Sequence, residues 1–597
     1  MHRFRYLIPF LILLISGILF FIQIPKNSFF SLPVIFEGRL QPYDSVARNT
    51  LLFISEKQNP STFTYKEIFM SLISHQADID TKNIFLIRDS QILDYLSLKH
   101  RKKHLYPFSD ILPHQDKIHE FASLIEQINS GKRSSFQRNI LKLKNKIDRY
   151  LGLKYSFYLP RHIPLNYSLS SFYDTHQSIN HLISHNHDLK NIDNETLISL
   201  KNHAMALSFF EQMKNNSLLY MYPSKTDNKI WFNNGDLFLS SSLSKEYLVL
   251  SEKYYSLIGN KNEHNNKNKI LELNNFVSSL SNSSSFKVKL EFYYNHYQPF
   301  YVALCIYMFL FLFSFYFIFK SSKTSFQIFK YLFYSNFILH TGAILARILL
   351  ISRPPVTNLY SSAIFVSWIA ILAFIILYCL FNYKILFTLS SVIGFVSLII
   401  AHQLSIGADT LENMRAVLDS NFWLSTHVVT MCMGYGAVYV ASILGCAYIL
   451  IGYFSTKLTS NFAHKLFQMT YGFVCIGLLF SVVGTLLGGI WGDQSWGRFW
   501  GWDPKENGAI LIVLWLAIML HARLAGMCKV KGFMSLAVLS GIVTSFSWFG
   551  VNLMGIGLHS YGFIAEGFVW LSIYSIIMLY ISCLIFIPNK YWQSFNK

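Results

Sequence analysis

Nine apolar runs of about twenty residues follow one another between Pro299 and Phe586, and they fix the class of fold before any motif is considered. A bilayer core of about 30 Å is crossed by about 20 apolar residues in a helix. With no water there to satisfy backbone groups, a helix is the structure that such a run can adopt alone. The expected spans are 299–319, 331–351, 361–382, 385–403, 425–451, 467–490, 506–524, 534–556 and 564–586. A further apolar run, Tyr6–Ile24, follows Met1-His-Arg-Phe-Arg5. Gln23-Ile-Pro-Lys26 offers no small-x-small cleavage site, so this run reads as an uncleaved anchor. The expectation is an all-α polytopic membrane protein of about ten transmembrane helices. A hydrophobic content of 52%, a charged content of 14% and a mean hydropathy of +0.33 agree with it.

Three domains follow: an anchor over 1–24, a polar domain over 25–297, and a multi-span domain over 298–597. The polar domain is rich in Ser, Asn, Lys and His, with helical periodicity over Thr64–Ser74 and Arg133–Tyr150 and low-complexity loops at Asn260–Lys269 and Ser281–Ser285. The net charge of +19 is spread along the chain without a nucleic-acid motif, so nucleic acid is not an expected partner. Much of the excess lies in short loops. Lys320, Lys323, Lys330, Lys384, Lys457, Lys465, Arg523, Lys529, Lys531, Lys590 and Lys597 share one side with Arg3 and Arg5. The seven acids after residue 297 fall on the other side. By the positive-inside rule both termini are cytoplasmic, and the polar domain and the 491–503 segment are external. The seven Cys all lie in or beside the apolar runs, and neither CxxC nor CxxCH occurs. The polar domain is therefore not stapled by disulfides, and the chain is neither a thiol exchanger nor itself a c-type cytochrome.

Between the sixth and seventh C-terminal runs stands Trp491-Gly-Asp-Gln-Ser-Trp496-Gly-Arg498-Phe-Trp500-Gly-Trp502-Asp503, followed by Pro504-Lys505-Glu506. It holds four of the chain's eleven Trp. Its position predicts a loop or short helix at the membrane surface. Interfacial belts use Trp, but a belt does not need four indoles, interleaved glycines and a terminal Asp. Flat aromatic faces beside small residues suit a large planar ligand, and histidines on neighbouring segments point to a porphyrin.

This stretch resembles the tryptophan-rich WWD domain of heme-handling cytochrome c biogenesis proteins. The Pro-Lys-Glu ending resembles their CcsA branch, part of the system II cytochrome c synthase. The resemblance runs over about residues 330–585, with Asn507-Gly508 where many members carry Thr-Trp. Arg353-Pro-Pro-Val-Thr-Asn-Leu-Tyr-Ser-Ser362 is also similar to the family, with Ser361 at its Glu position. Glu37-Gly-Arg-Leu-Gln-Pro-Tyr-Asp-Ser-Val-Ala-Arg48 resembles a motif opening the extracytoplasmic region of some members; an ordinary turn before a helix cap is an equal reading.

Six histidines follow residue 297. His427 and His559 flank the tryptophan segment on the expected outer side, and heme iron takes two axial ligands. The resemblance implies that these two are the external heme-iron ligands. His402 is a competitor, better read as an interfacial histidine. His521 stands eighteen residues after Asp503, about 27 Å deeper along a helix, and ionisable residues inside a membrane mark pathways. By resemblance it belongs to an inner heme site; a helix-end histidine is the plainer reading. His340, in His340-Thr-Gly-Ala-Ile-Leu-Ala-Arg347, is a mid-span histidine that either assists internally or packs helices. Trp491, Trp496, Trp500, Trp502 and Asp503 are expected to hold the ring. Arg498 and Lys505, with Arg353, are cations suited to its propionates or to lipid phosphate.

The resemblance implies a heme b-binding subunit of a holocytochrome c synthase. It would deliver heme across the membrane and present it to apocytochrome c CxxCH motifs, with no catalytic nucleophile of its own. It further implies a separate CcsB/ResB-type membrane subunit, a thiol-reducing partner, and the bacterial inner membrane as location. A heme exporter or chaperone without ligation activity, and a CcmF-like ligase, stay open at this point.

Overall fold

The computed structural model describes residues 28–595 apart from 61, 77, 130–131, 158–172, 179–193, 226, 228–229, 240–243, 260–266, 281–284, 320–322, 406–408, 413, 415–418 and 552–564. The expected anchor 1–24 and His559 lie outside the described residues. Within them the chain forms two compact units: 28–297 with 409–412, and 298–405 with 414–595.

The polar unit begins with a hairpin, β1 (Pro33–Phe36) paired antiparallel to β2 (Arg39–Pro42). Glu37 and Gly38 take φ of 50° and 74° between the strands, as a two-residue turn with both central residues left-handed demands. Helices α1 (Tyr43–Ser55), α2 (Tyr65–Ile73), α3 (Ser135–Lys154), α4 (Asn194–Asn216) and α5 (Ser285–Tyr297) surround one apolar core. Thr64 with Glu67, and Ser134 with Gln137, close capping boxes at the starts of α2 and α3. On α3, Ile140, Leu143, Ile147 and Tyr150 recur at helical spacing and are buried.

The Glu37–Arg48 segment is this hairpin's turn, its second strand and the start of α1. Its polar side chains join one network. Arg39 reaches Glu291 at 2.6 Å and Asp409 at 3.1 Å. Ser45 donates to Glu291 at 2.5 Å, and Asn295 donates to Ser45 at 2.8 Å. Asp44, wholly buried, accepts from Arg48 at 2.6 Å and from Tyr65 at 2.7 Å. Glu291 is 252 residues from Arg39 in sequence.

In the second unit, nine helices among the described residues are long and apolar enough to cross a membrane. They are α6 (Pro299–Phe319), α7 (Lys323–Ile351), α8 (Leu359–Phe381), α9 (Ile385–Leu404), α10 (Val429–Phe454), α11 (Ser460–Trp496), α12 (Pro504–Leu524), α13 (Val530–Ser545) and α14 (Ala565–Cys583). The chain is thus an all-α polytopic membrane protein. The helix ends follow local chemistry. Asn358 caps α8 by accepting from Ser361 N at 2.8 Å, and α8 ends at left-handed Asn382.

Helix α10 packs on α8, α11 and α13 at the centre of this unit. Its contact with α11 is an antiparallel ladder of small residues. A Cβ on Gly477 would stand 3.0 Å from Val438, and one on Gly434 would stand 2.9 Å from Ser481. A Cβ on Gly484 would stand 2.5 Å from the Met431 sulfur. In lipid, where apolar burial between helices gains little, close backbone approach through small residues is what holds helices together.

Candidate functional site

The ladder ends at His427. This residue lies in a single π-helical turn, Leu424–Val428, which leads from a short helix, Asn421–Trp423, into α10. The wider turn is a feature that often marks functional sites. A Cβ on Gly488 would stand 2.6 Å from the ring carbon Cε1 of His427, so only glycine admits the imidazole there. The ring lies 2.8 Å through Nδ1 from the Gly484 carbonyl. A carbonyl only accepts, so Nδ1 carries the proton and Nε2 carries the lone pair. This is how metal-binding histidines are held, the second nitrogen anchored to a backbone oxygen.

A cavity of about 160 Å³ opens beside this ring. Its wall takes Thr357, Asn358 and Ser362 from the start of α8, and His427, Met431 and Tyr435 from the π turn and α10. The end of α11 and the next loop supply Trp491, Trp496, Phe499 and Trp500, while Lys505, Glu506 and Trp548 close it. The loops before α8 and α10 and the segment after α11 therefore meet on one side of the unit.

The aromatic wall has two tiers. Trp423 stacks on Trp491 at 6.3 Å and 13°, and its Nε1 donates to Gln494 at 3.1 Å. Trp491 also meets the His427 ring edge-on at 5.8 Å. On the far wall Trp548 packs on Tyr435 at 5.5 Å. Trp548 stands in a second π turn, Phe546–Gly550, at the end of α13.

The expected loop 491–503 is half helix. α11 runs through Trp491 to Trp496 and stops at Gly497, whose φ is 67°. At 37 residues it is about 55 Å long, far more than the hydrocarbon core, so it continues past the apolar run that sequence detects. Trp500 lines the cavity, whereas Trp502 is 73% exposed and turns away from it.

Asp503 does not line the cavity. Its carboxylate caps α12, accepting from Lys505 N at 2.9 Å. Glu506 accepts from Gly501 N at 2.8 Å and from Asp503 N at 3.0 Å, and Pro504 occupies the first helical position. Asp-Pro-Lys-Glu is thus a capping box, a pattern already readable in the sequence. Lys505 does reach the cavity, donating to the Trp548 carbonyl at 3.0 Å. Arg498 lies against Gly501 outside the cavity wall. Arg353 is forked onto Asp419 at 2.5 and 2.9 Å, and this pairing holds the Asp419 carboxyl below its ordinary range.

The other histidines stand apart. His402 is exposed beside Tyr301, with ring centroids 5.5 Å apart. His521 is exposed one turn before the end of α12, its Nδ1 donating to Ala517 O at 2.8 Å. His340 is fully buried on α7, edge-on to Phe300 at 5.6 Å and Tyr307 at 6.1 Å, away from the cavity wall. Sequence reasoning passed over Trp423, Trp548, Gly484 and Gly488. The glycines at helical spacing were the available signal.

A family model described as "Cytochrome C assembly protein" matches residues 356–559. The chain is 33% identical over 217 residues to "Cytochrome c biogenesis protein CcsA" of Chlamydomonas reinhardtii, covering 35% of this chain and 61% of that protein. It is 35% identical over 232 residues to "Protein NrfI" of Wolinella succinogenes, covering 38% of this chain and 25% of that protein. It is 30% identical over 276 residues to "Cytochrome c biogenesis protein CcsA" of Buxus microphylla, covering 38% of this chain and 84% of that protein. The first two of these are thus matched over less than two thirds of their length.

Proposed function

We infer the function from the premise that this chain belongs to the CcsA-type cytochrome c biogenesis proteins, as a multi-pass membrane protein. On this reading it is the heme-presenting subunit of a cytochrome c synthase, and heme b is its cargo. The observation that carries the reading is His427, whose Nδ1 proton is committed to Gly484 O while Nε2 keeps the lone pair beside a tryptophan-walled cavity. Sites that enclose a drug-sized ligand run to about 300–1,000 Å³. A cavity of about 160 Å³ takes one part of a planar ring and leaves the rest outside the wall. That suits presentation of a ring edge to a second protein.

His427 would offer its Nε2 to heme iron, and the Gly484 carbonyl would raise the basicity of that nitrogen through the shared proton. Trp491, backed by Trp423, gives a flat face beside the imidazole. Lys505 places a cation in the wall for a propionate. His559, by its family position, would offer the second nitrogen. His521 serves an inner site, presenting its second nitrogen at the far end of α12 to heme and to a CcsB/ResB-type subunit. Heme brings two vinyl groups. Each thiol of an apocytochrome CxxCH adds S–H across one C=C, forming one C–S and one C–H bond with no leaving group. The protein's share is position and iron ligation, which make the addition effectively intramolecular. A thiol-reducing partner keeps the client cysteines reduced. The polar unit and the tryptophan segment face outward from a bacterial inner membrane, with both termini inside.

The test is to co-express His521→Ala and His427→Ala, each with a CcsB-type partner. His521→Ala is expected to lower total heme while the residual heme keeps the parent spectrum. His427→Ala is expected to change the spectrum of the bound heme. One altered spectrum common to both variants would mean a single site and would end the two-site reading.

A further inference from the structure

The seam between α6 and α7 buries three polar side chains that heme presentation does not use. Tyr307 on α6 and His340 on α7 are 0% exposed, and Asn336 on α7 is 1% exposed. The two helices pack on one another, and the three side chains meet along that contact. Asn336 Nδ2 donates to the Ala303 carbonyl at 3.0 Å. Ala303 stands one turn before Tyr307, and Asn336 one turn before His340, so each pair shares a helix face. The Tyr307 and His340 rings complete the set, with centroids 6.1 Å apart.

The remaining polar atoms of these residues are the informative ones. Among the described residues the Tyr307 hydroxyl, Asn336 Oδ1 and both ring nitrogens of His340 have no hydrogen-bond partner. The Ile364 carbonyl on α8 faces the imidazole without closing a hydrogen bond. Phe300 lies against His340 at 5.6 Å and Phe333 against Tyr307 at 6.0 Å, both edge-on, and neither carries a polar group. Buried polar groups are nearly always paired, and within a bilayer no bulk solvent satisfies them. Four such atoms in one seam therefore point to a bound species.

The donor and acceptor balance selects its chemistry. The Ala303 carbonyl only accepts, so the amide of Asn336 is fixed with Oδ1 as an acceptor. The Tyr307 hydroxyl and an imidazole N–H are donors. An anion or a carbonyl would satisfy the donors and leave Asn336 Oδ1 unpaired. A metal cation would satisfy Oδ1 and leave the donors unpaired. Water both donates and accepts, and internal waters hold this kind of otherwise unmatched set.

We propose that Tyr307, Asn336 and His340 form an internal water site in the α6–α7 seam, in which bound water accepts from the Tyr307 hydroxyl and the imidazole and donates to Asn336 Oδ1. His340 is then a ligand of water within the membrane unit, neither a heme ligand nor a purely apolar packing residue.

The experiment is radiolytic hydroxyl-radical footprinting of the full-length protein in detergent, read residue by residue by mass spectrometry. Radicals form from water at the site itself, so a buried side chain is oxidised where water is bound beside it. Tyr307 and His340 should be oxidised in the parent, while Phe333, equally buried in the same seam, should stay unmarked. Oxidation of Tyr307 no greater than that of Phe333 would overturn the site. His340→Leu removes the polar ring and should bring Tyr307 down to the level of Phe333. His340→Gln keeps a donor and an acceptor and should retain the Tyr307 label. Full Tyr307 labelling in His340→Leu would also overturn the proposal, since the water would not be held by His340. The parent comparison needs no variant, so it decides even where His340→Leu does not fold. Labelling is read independently of heme, so failure here leaves the heme reading untouched.

Discussion

The two units bury polar groups for opposite ends. In the polar unit they tie distant pieces of chain together: Arg39 on β2 holds Glu291 on α5 and Asp409 from the segment 409–412. In the membrane unit the helices meet through glycine and serine, and Thr357, Asn358, Ser362, His427, Lys505 and Glu506 line one cavity. Surrounded by lipid, that unit gains little from apolar burial between its helices, so shape complementarity carries the packing. Its glycine ladder then decides where an imidazole fits. The polar unit has a water-excluding core and can hold a charged network at its edge. A change in one unit should therefore act mainly on stability, and a change in the other on ligand geometry.

Arg39→Ala is the largest expected break on the stability side. It leaves Glu291, 3% exposed, without its cation. Removing one partner of a buried pair costs about 3–5 kcal/mol. Proteolysis or thermal melting of the purified protein should show the polar unit destabilised by about that much. A shift below about 1 kcal/mol would mean that the network is ornamental to the fold. On the ligand side, Gly488→Ala places a methyl 2.6 Å from Cε1 of His427. Overpacking of this kind costs about 1–3 kcal/mol. The imidazole must shift, and the heme spectrum should shift with it. An unchanged spectrum would place the iron ligand elsewhere.

Asp503 separates capping from ligand contact. Asp503→Ala should destabilise the protein by about 1 kcal/mol, the usual cost of a lost N-cap, and Asp503→Ser should recover most of it. If Ser restores stability but heme content stays low, the carboxylate touches the ligand after all. The smallest effect is expected at Arg353–Asp419. Fork bonding to Arg353 lowers the Asp419 carboxyl in the folded chain. The pair's stabilisation is thus complete above the unfolded value of about 3.9 and is lost as pH falls through the folded one. Both groups are partly exposed, so the effect is at most about 1 kcal/mol. Melting curves of Asp419→Asn and parent should converge at strongly acid pH and differ slightly at neutral pH; a gap that widens with acid reverses the assignment.

The same contrast governs how much the sequence disclosed. Bilayer thickness dictates span length, so all nine described spans were legible, and 299–319 coincides with α6 (Pro299–Phe319). The 467–490 run falls short of Ser460–Trp496 because hydropathy ends where the membrane does and the hydrogen-bonded helix does not. His427 was legible from its place beside the tryptophans. Its tautomer was not, because that depends on Gly484 across a helix contact. Trp548 escaped because a π turn in α13, unmarked in the sequence, brings it to the cavity. Asp503 and Glu506 were legible as a capping box, and of the two only Asp503 was expected to hold the ring. The Arg39 network was not legible, since no local pattern joins residues 252 positions apart.

Heme presentation at the tryptophan-walled cavity turns on ligation of the iron by His427 Nε2. The most direct measurement is the absorption spectrum of detergent-purified parent and His427→Ala, each with and without added imidazole. The parent should show a bis-histidine Soret band. His427→Ala should show a weakened or blue-shifted band, with partial recovery when imidazole fills the vacated position. A His427→Ala spectrum identical to that of the parent, insensitive to imidazole, would contradict it.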